Sequence, residues 1–372
     1  MRVAVLILVA LYSQHQQRPT ADQQLIESQR LRDLALFDRA EEILRAFLRA
    51  APADPQQQKS VPQFRAALCE LLLAARKYDE LKVEAEPIRK QGRSRVHALS
   101  LLAAGAWHSG QAAEALELCD EADKAALDPT SDITADQRRR LKTIRALLGW
   151  KRFESTTHIA HYPPDSPIAA DPAAFGRRLD VAFERVRAEL DVTFEGKIEA
   201  FFFNDQAQAD TVVGRTLASA LPALRTYFAR VDGPPGFAIA QVVSFFVANR
   251  KQRRPPRLPG LCDGFFAAHA DDPRWERRRE EGPRNLAGEG KLPELEPMLA
   301  APAGDAEAFA LRASFVRWLI KSRGRENFRR LWAEYSDLAG IGSQTRDLRR
   351  PWVEIYGAPP GDLEAAWRSS IR

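Results

Sequence analysis

The stretch VHALSLLAAGAWHSGQAAEALELCDEADKAALDP, residues 96–129, carries the clearest structural pattern in the chain. Apolar and small residues recur at helical spacing on both sides of Gly110, and Pro129 ends the second run. They are Leu99, Leu102, Ala103 and Ala106 before the glycine and Ala115, Cys119 and Ala122 after it. Glycine favours a turn and proline cannot continue a helix. The pattern therefore predicts a helix, a turn at Gly110 and a second helix.

Two fainter copies of this helix–turn–helix unit precede it, over residues 21–52 and 62–91. The residues that anchor the second helix of each unit are Ala40, Leu81 and Ala115. The intervals between these anchors are 41 and 34 residues. The second interval is the period of the tetratricopeptide repeat, and the polar segment Pro52–Gln58 can hold the excess in the first.

Residues 21–150 therefore resemble a short tetratricopeptide-like α-solenoid, with a further helix over residues 134–150 as its cap. The resemblance implies a concave surface that holds a protein or peptide partner. Because about three repeats would form only a small groove, a packing module that buttresses the rest of the chain is the alternative.

The N-terminus indicates a signal peptide. Arg2 is followed by nine apolar residues, Val3–Leu11, and then by a polar stretch from Ser13 to Arg18. Nine residues rise only about 14 Å as a helix, which is too short to cross a bilayer. Residues 1–18 are predicted to be a signal peptide of a periplasmic or secreted protein. A cytoplasmic location is the alternative, and no other stretch predicts an integral membrane segment.

Composition narrows the classes of function. A length of 372 residues favours two domains, and the net charge of +5 is the small difference between 55 basic and 50 acidic residues. No nucleic-acid partner is therefore expected. Cys69, Cys119 and Cys262 do not make a disulfide framework, and the first two are predicted to be buried thiols. A reactive thiol at Cys262 is not expected, since no adjacent basic residue would lower its pKa.

Past the repeats the pattern changes. Residues 156–162 alternate and predict a strand, residues 170–191 predict a long amphipathic helix, and Lys197–Phe203 predicts a second strand. The apolar side of the long helix is predicted to hold Phe175, Leu179, Val181, Ala182, Val186 and Leu190. A short helix to about Val213 follows. The chain is thus predicted to be α+β and mostly α, with a second domain over residues 155–372.

Residues 155–372 resemble the peptidase-MA-like, or gluzincin, family of metallopeptidases. The order strand, long helix, strand, short helix resembles the opening of a zincin-type domain, with HIAHYPPDSP (158–167) and GKIEAFFFNDQAQAD (196–210) as matching segments. ASFVRWLIKSRGRENFRRLW (313–332) resembles the family's helix–Gly–helix segment that closes the active-site cleft. IYGAPPGDLEAAWR (355–368) resembles its last helix. The resemblance implies a zincin-like α+β domain.

The zinc motif of that family is replaced in this chain. Active members bind zinc with His-Glu-x-x-His and a downstream Glu before Gly, and the motif Glu activates water. In PPGFAIAQ, Phe237 stands for the first His, Ala238 for the Glu and Gln241 for the second His. In LPGLCDGFF, Asp263 stands for the third ligand. Catalytic residues, a metal and other cofactors are therefore not expected. The apolar helix that follows Pro235 is predicted to be packed in the interior.

The remaining histidines do not predict a metal site. His158 and His161 lie three positions apart on a predicted strand, so their side chains point to opposite faces. His269, with Asp271 and Asp272, is a local cluster of possible ligands, but a solvated loop is predicted there.

Two basic runs border the replaced motif, Arg250–Arg254 with Arg257 and Arg274–Arg279. One interpretation is an electropositive rim that attracts an acidic peptide, an anionic polymer or a membrane surface. Solvated loops are the favoured interpretation, since Glu280 and Glu281 partly cancel the second run.

The sequence as a whole predicts an inactive metallopeptidase homologue that acts as a non-catalytic binding or scaffolding protein of the cell envelope. The alternative is an enzyme, either a metallopeptidase with rearranged ligands or a hydrolase of another mechanism.

Overall fold

The computed structural model describes residues 19–90, 94–128, 133–214, 217, 219–247, 256, 258–302, 304–338 and 349–371. They divide into two compact units, one up to Leu148 and one from Gly149. The chain is mostly helical with one small mixed sheet, so the predicted α+β, mostly α class is confirmed. The predicted signal peptide, residues 1–18, lies outside the described residues. None of the described helices is long and apolar enough to cross a membrane.

Helices joined by short turns make up the first unit. They are α1 (Ala21–Asp33), α2 (Phe37–Ala50), α3 (Pro55–Gln58), α4 (Val61–Ala74), α5 (Tyr78–Arg89), α6 (Arg95–His108), α7 (Ala112–Ala126) and α8 (Ala135–Leu147). Helices α1 and α8 begin in the same way, because the hydroxyls of Thr20 and Thr134 accept the backbone N–H of Gln23 and Gln137. Each glutamine side chain reaches back to the N–H of its threonine. This capping box satisfies N–H groups that a helix start leaves without partners.

One type of turn joins α1 to α2, α4 to α5 and α6 to α7. Its left-handed residues are Ala35, Arg76 and Gly110, with φ angles of 53°, 61° and 82°. The next residue donates its N–H to a carbonyl five positions back, in the pairs Leu36–Leu31, Lys77–Leu72 and Gln111–Ala106. Five residues after each left-handed residue lie the buried anchors Ala40, Leu81 and Ala115. The helix pair therefore repeats in the local structure at the two predicted intervals, and the 3-10 turn Ala51–Ala53 and α3 occupy the longer one.

Close helix packing in the first unit depends on small residues. A Cβ at Gly105 of α6 would lie 3.1 Å from Cδ2 of Leu81 on α5, so a larger residue there would press on this side chain. The rings of Phe47 and Phe64 stack with their centroids 3.5 Å apart and join α2 to α4. Such contacts between successive helices form the continuous core of a helical repeat.

The sheet of the second unit has five strands in the order β1-β2-β3-β5-β4. The strands are β1 (Lys151–Glu154), β2 (His158–Tyr162), β3 (Ile198–Phe203), β4 (Ser219–Leu221) and β5 (Thr226–Arg230). Strands β2, β3 and β5 are parallel, whereas β1 and β4 pair antiparallel at the two edges. The two predicted strands are confirmed as β2 and β3, and the other three were not predicted.

Ten helices accompany this sheet in the part of the chain that the structure describes. They are α9 (Pro172–Leu190), α10 (Gln206–Val212), α11 (Pro235–Phe245), α12 (Pro259–Ala268), α13 (Pro273–Gly288), α14 (Leu295–Ala300), α15 (Ala306–Arg323), α16 (Arg325–Leu338), α17 (Arg350–Tyr356) and α18 (Pro360–Ile371). The prediction that Val181 lies on the apolar side of α9 was wrong, since it is 70% exposed. At 100° per residue it projects away from the buried Leu179, Ala182 and Val186.

Helix α12 crosses its neighbours at very short range. A Cβ at Gly260 would lie 2.6 Å from the Cα of Leu299 on α14. A Cβ at Gly264 would lie 2.7 Å from the carbonyl oxygen of Arg312 on α15. Only glycine permits such an approach of two backbones, so α12 is fixed in position against α14 and α15.

Candidate functional site

The predicted motif positions Phe237, Ala238 and Gln241 lie in α11. Phe237 is half-buried, and its ring makes edge contacts with Phe266 and Phe309, each at a centroid distance of 5.9 Å. Ala238 is fully buried. These edge-to-face contacts are the arrangement that aromatic side chains prefer in a packed interior.

The other two replaced positions carry oxygen atoms. Gln241 lies one turn after Phe237, and its Oε1 is buried and accepts no hydrogen bond from any described residue. Asp263 on α12 accepts a hydrogen bond from Nη1 of Arg312 at 3.3 Å. The same guanidinium donates to the carbonyls of Met298 at 2.8 Å and Ala301 at 3.1 Å. The carboxylate of Asp263 therefore neutralises a buried arginine.

These four positions supply few ligand atoms for a metal ion. Within the residues described, no group of three or more His, Cys, Asp or Glu side chains is arranged to hold a metal ion. Phe237 and Ala238 supply no ligand atom, and Asp263 already faces the positive charge of Arg312.

His158 and His161 lie on opposite faces of the sheet, as predicted for two residues three apart on a strand. The ring of His158 lies against Phe183 and Tyr227, and burial lowers its pKa to about 3. On the other face, Nε2 of His161 lies 2.9 Å from Oε1 of Glu199. The two rings do not share a site.

The prediction of a solvated loop around His269 was wrong. The imidazole is only 3% exposed at the end of α12, and its Nε2 lies 3.0 Å from Oε2 of Glu189 on α9. Asp271 instead accepts the N–H of Gly236 at 3.1 Å, and Asp272 caps α13. The three predicted possible ligands therefore have three different partners. The sequence could not indicate the pairing because Glu189 lies on a distant helix.

Burial works to raise the pKa of Glu189, but His269 and the charges of Arg185 and Arg317 outweigh it. The pKa of this carboxyl therefore lies below its usual range, and the group stays ionised at neutral pH. The structure thus places a buried histidine beside a carboxylate, which is an arrangement that can orient a ring nitrogen toward a ligand.

Only the second of the two basic runs lies within the described residues. The residues of the first, Arg250–Arg254 and Arg257, lie outside the described part of the chain. The second is not a loop, as was predicted, but part of α13. Arg279 is buried and donates to the carbonyl of Ala268 at 3.1 Å, and Trp275 donates to that of Ala267 at 2.8 Å. These two side chains, one turn apart, cap the end of α12.

The cysteines are buried free thiols, as predicted for Cys69 and Cys119. Burial raises the pKa of Cys69 to about 12 and that of Cys119 to about 11. Burial and the charge of Asp263 also raise the pKa of Cys262. A thiol held in its neutral form is a poor nucleophile.

Comparison with known proteins adds no relative, since no protein-family model, curated protein or solved structure matches this chain.

Proposed function

We propose that the chain is a non-catalytic binding protein of the cell envelope. In this proposal a tetratricopeptide-like solenoid holds a protein or peptide partner, and the second unit is an inactive zincin-like domain. The observation that carries the proposal is the use of the replaced motif positions: Phe237 packs against two aromatic rings and Asp263 pairs with a buried arginine.

Electrostatics at Asp263 supports this interpretation. A zinc ion bound there would face the guanidinium of Arg312, which is 3% exposed and fixed by two backbone carbonyls. Two unit charges 4 Å apart repel by about 4 kcal/mol in the partly screened environment near a protein surface, and a divalent ion doubles that figure. Gln241, with one neutral amide oxygen, could not offset the repulsion.

The order of elements supports the zincin-like assignment. Strand β2, the long helix α9, strand β3 and the short helix α10 follow one another as the resemblance implies. Gly324, with a φ of 88°, separates α15 from α16 at the position of the expected helix–Gly–helix segment.

The recurring turn of the first unit supports the repeat assignment, and its ion pairs connect successive helix pairs. Arg45 of α2 pairs with Glu80 and Glu84 of α5, and Lys82 of α5 pairs with Glu114 of α7. These contacts order the second helices of the repeats alongside one another. Because α6 is buried along nearly its whole length, α1 and α4 are the first helices with outward-facing residues for a partner.

One observation favours the alternative of a hydrolase with rearranged residues. The buried pair of His269 and Glu189 resembles the base and orienting carboxylate that many hydrolases place beside a nucleophile. A Ser, Thr or Cys within reach of the ring would be needed to complete such a site, and no hydroxyl or thiol hydrogen-bonds to it within the described residues.

Metal analysis of the purified full chain tests the proposal. After dialysis against a metal-free buffer, the chain is expected to hold far less than one equivalent of zinc. Stoichiometric zinc, or peptide hydrolysis that a chelator abolishes, would overturn it. Capture of a specific partner should require the repeats, so Gly105→Val, whose branched side chain would press on Leu81 of α5, is expected to reduce capture.

Arg330→Gln, an exposed change in the second unit, is the matched control for capture. Equal loss of the partner in both variants would show that the repeats do not carry the interaction.

A further inference from the structure

A cleft of about 730 Å³ opens in the second unit beside the buried pair of His269 and Glu189. Helices α9, α13, α15 and α18 and the end of α12 line it. This volume lies within the range of sites that take small organic molecules. The cleft lies outside the replaced motif, because none of the four motif positions contributes to its lining.

Positive charge dominates the polar wall of the cleft. Its basic residues are Arg185, Arg279, Arg284, Arg317 and Lys321, and its acidic residues are Glu189, Glu276 and Glu280. Five basic minus three acidic groups leave two net positive charges, before any charge on His269. Among the residues that the structure describes, Arg284, Arg317 and Lys321 form no hydrogen bond or ion pair. These three exposed side chains line the cleft, and the charge of Arg317 acts on the carboxylate of Glu189.

Two groups of the wall would gain from a bound anion. Burial lowers the pKa of Arg279, and the nearby positive charge of Arg317 lowers it further. Both ring nitrogens of His269 are buried without a hydrogen-bond partner among the described residues, although Nε2 lies 3.0 Å from Oε2 of Glu189. Buried polar atoms are almost always paired, so a ligand group that reaches this ring would supply a hydrogen bond that the described residues do not.

Part of the lining is apolar. Trp318, which is half-buried, lines the cleft together with Pro283 of α13, whereas Trp367 behind them is fully buried. Indole faces bind aromatic or aliphatic groups and favour ligands that combine an apolar part with a charge.

We propose that this cleft binds a small organic anion, whose carboxylate or phosphate group contacts Arg317, Arg284 and His269 while its apolar group packs on Trp318. The inference goes beyond the proposed function, because it concerns a different site and holds whether or not the repeats bind a protein.

Calorimetric titration of the full chain with four probes tests the proposal. The probes are 3-phenylpropionate, phenyl phosphate, the neutral 3-phenylpropanamide and inorganic phosphate. Both aromatic anions are expected to bind one to one, with Kd values of about 1 mM for ligands of this size. The amide and inorganic phosphate should bind at least about tenfold more weakly, since the amide lacks the negative charge and inorganic phosphate lacks the apolar group. The tighter aromatic anion identifies the preferred acid group.

Variants locate the binding. Arg317→Gln and Arg284→Gln are each expected to weaken both aromatic anions about tenfold, which is the usual loss of one charged hydrogen bond. Arg330→Gln removes an exposed arginine of α16 that does not line the cleft and should leave Kd unchanged. Circular dichroism verifies that all three fold alike.

Several results would overturn the proposal. They are no saturable binding of either aromatic anion up to about tenfold above the expected Kd, equal affinity for the amide, or equal affinity for inorganic phosphate. An equal effect of Arg330→Gln and Arg317→Gln would also overturn it, because binding would then reflect the overall charge of the surface.

Discussion

Asp263→Asn is expected to destabilise the second unit, because it removes the charge partner of a buried arginine. Among the described residues, the guanidinium of Arg312 has three hydrogen-bond acceptors, and Asp263 is the charged one. If Asp263 were instead a metal ligand without its metal, removing its charge would leave stability unchanged or increase it. The sign of the effect therefore separates a structural carboxylate from a vacant ligand.

The magnitude follows from distance and burial. Two unit charges 3.3 Å apart attract by about 5 kcal/mol at an effective dielectric constant of 20. Water reaches part of the Asp263 side chain, which is 21% exposed, and the two carbonyl bonds of Arg312 survive the change. We therefore expect a loss of about 2 kcal/mol, as for hydrogen bonds to charged groups. Arg312→Met should lose about 3 kcal/mol, because it leaves the carbonyls of Met298 and Ala301 unpaired.

Urea unfolding followed by tryptophan fluorescence measures these changes, since every tryptophan except Trp107 lies in the second unit. A double-mutant cycle with both variants should give a coupling of about 1–2 kcal/mol. Glu184→Gln, which breaks an exposed ion pair with Arg187 on α9, is the control and should change stability by about 0.5 kcal/mol or less. An effect of Asp263→Asn no larger than this control, or a coupling near zero, would refute the reasoning.

Three further predictions concern packing, pH and thiol chemistry. Gly236→Ala should lower the free energy of unfolding by about 3 kcal/mol or more, because its Cβ would lie 2.0 Å from the carbonyl oxygen of His269. Gly282→Ala has open space around it and should stabilise α13 by up to about 1 kcal/mol in the same urea assay. The native His158 stays neutral down to about pH 3, whereas the unfolded chain takes up its proton near pH 6.5, so this residue makes stability fall as pH drops through that window. Unfolding curves from pH 6 to 4 should show a shallower slope in His158→Gln, by up to about 1.4 kcal/mol per pH unit, and an unchanged slope would contradict the assignment. Cys69, Cys119 and Cys262 should resist a thiol reagent at pH 8 in the native chain and react fully in denaturant, and rapid native labelling would show that burial does not protect them.

The helical repeat could be predicted because its signals are local. A left-handed turn residue and a small or apolar anchor five positions later recur within each helix pair, and both leave a trace in the sequence at Gly110 and Ala115. The turns at Ala35 and Arg76 use residues that rarely adopt positive φ, so only the anchors indicated them. Strands β2 and β3 were predictable for a similar reason, since each is an uninterrupted run of alternating or apolar residues.

The sequence did not indicate features that depend on distant partners. Strand β1 is polar and exposed, and it is a strand because it pairs with β2. Strand β4 has only three residues, and it pairs with β5. The burial of His269 and Arg279 depends on Glu189 and on the carbonyls at the end of α12. A charged residue in an arginine-rich stretch gives no sign of such partners, which is why the solvated-loop interpretation failed there.

The end of α12 connects the start of α11 to the cleft, because backbone contacts between them fix the position of α11. Gly236 lies so close to the carbonyl of His269 that no side chain fits between them, and Asp271 accepts its N–H. Trp275 and Arg279 on the following helix donate hydrogen bonds to the carbonyls of Ala267 and Ala268. Replacing either side chain would leave one of these carbonyls at the end of α12 unpaired. The same backbone that seats α11 thus holds His269 against Glu189 at the wall of the cleft. A change that loosens α11 should therefore weaken anion binding as well as stability, even though α11 does not line the cleft.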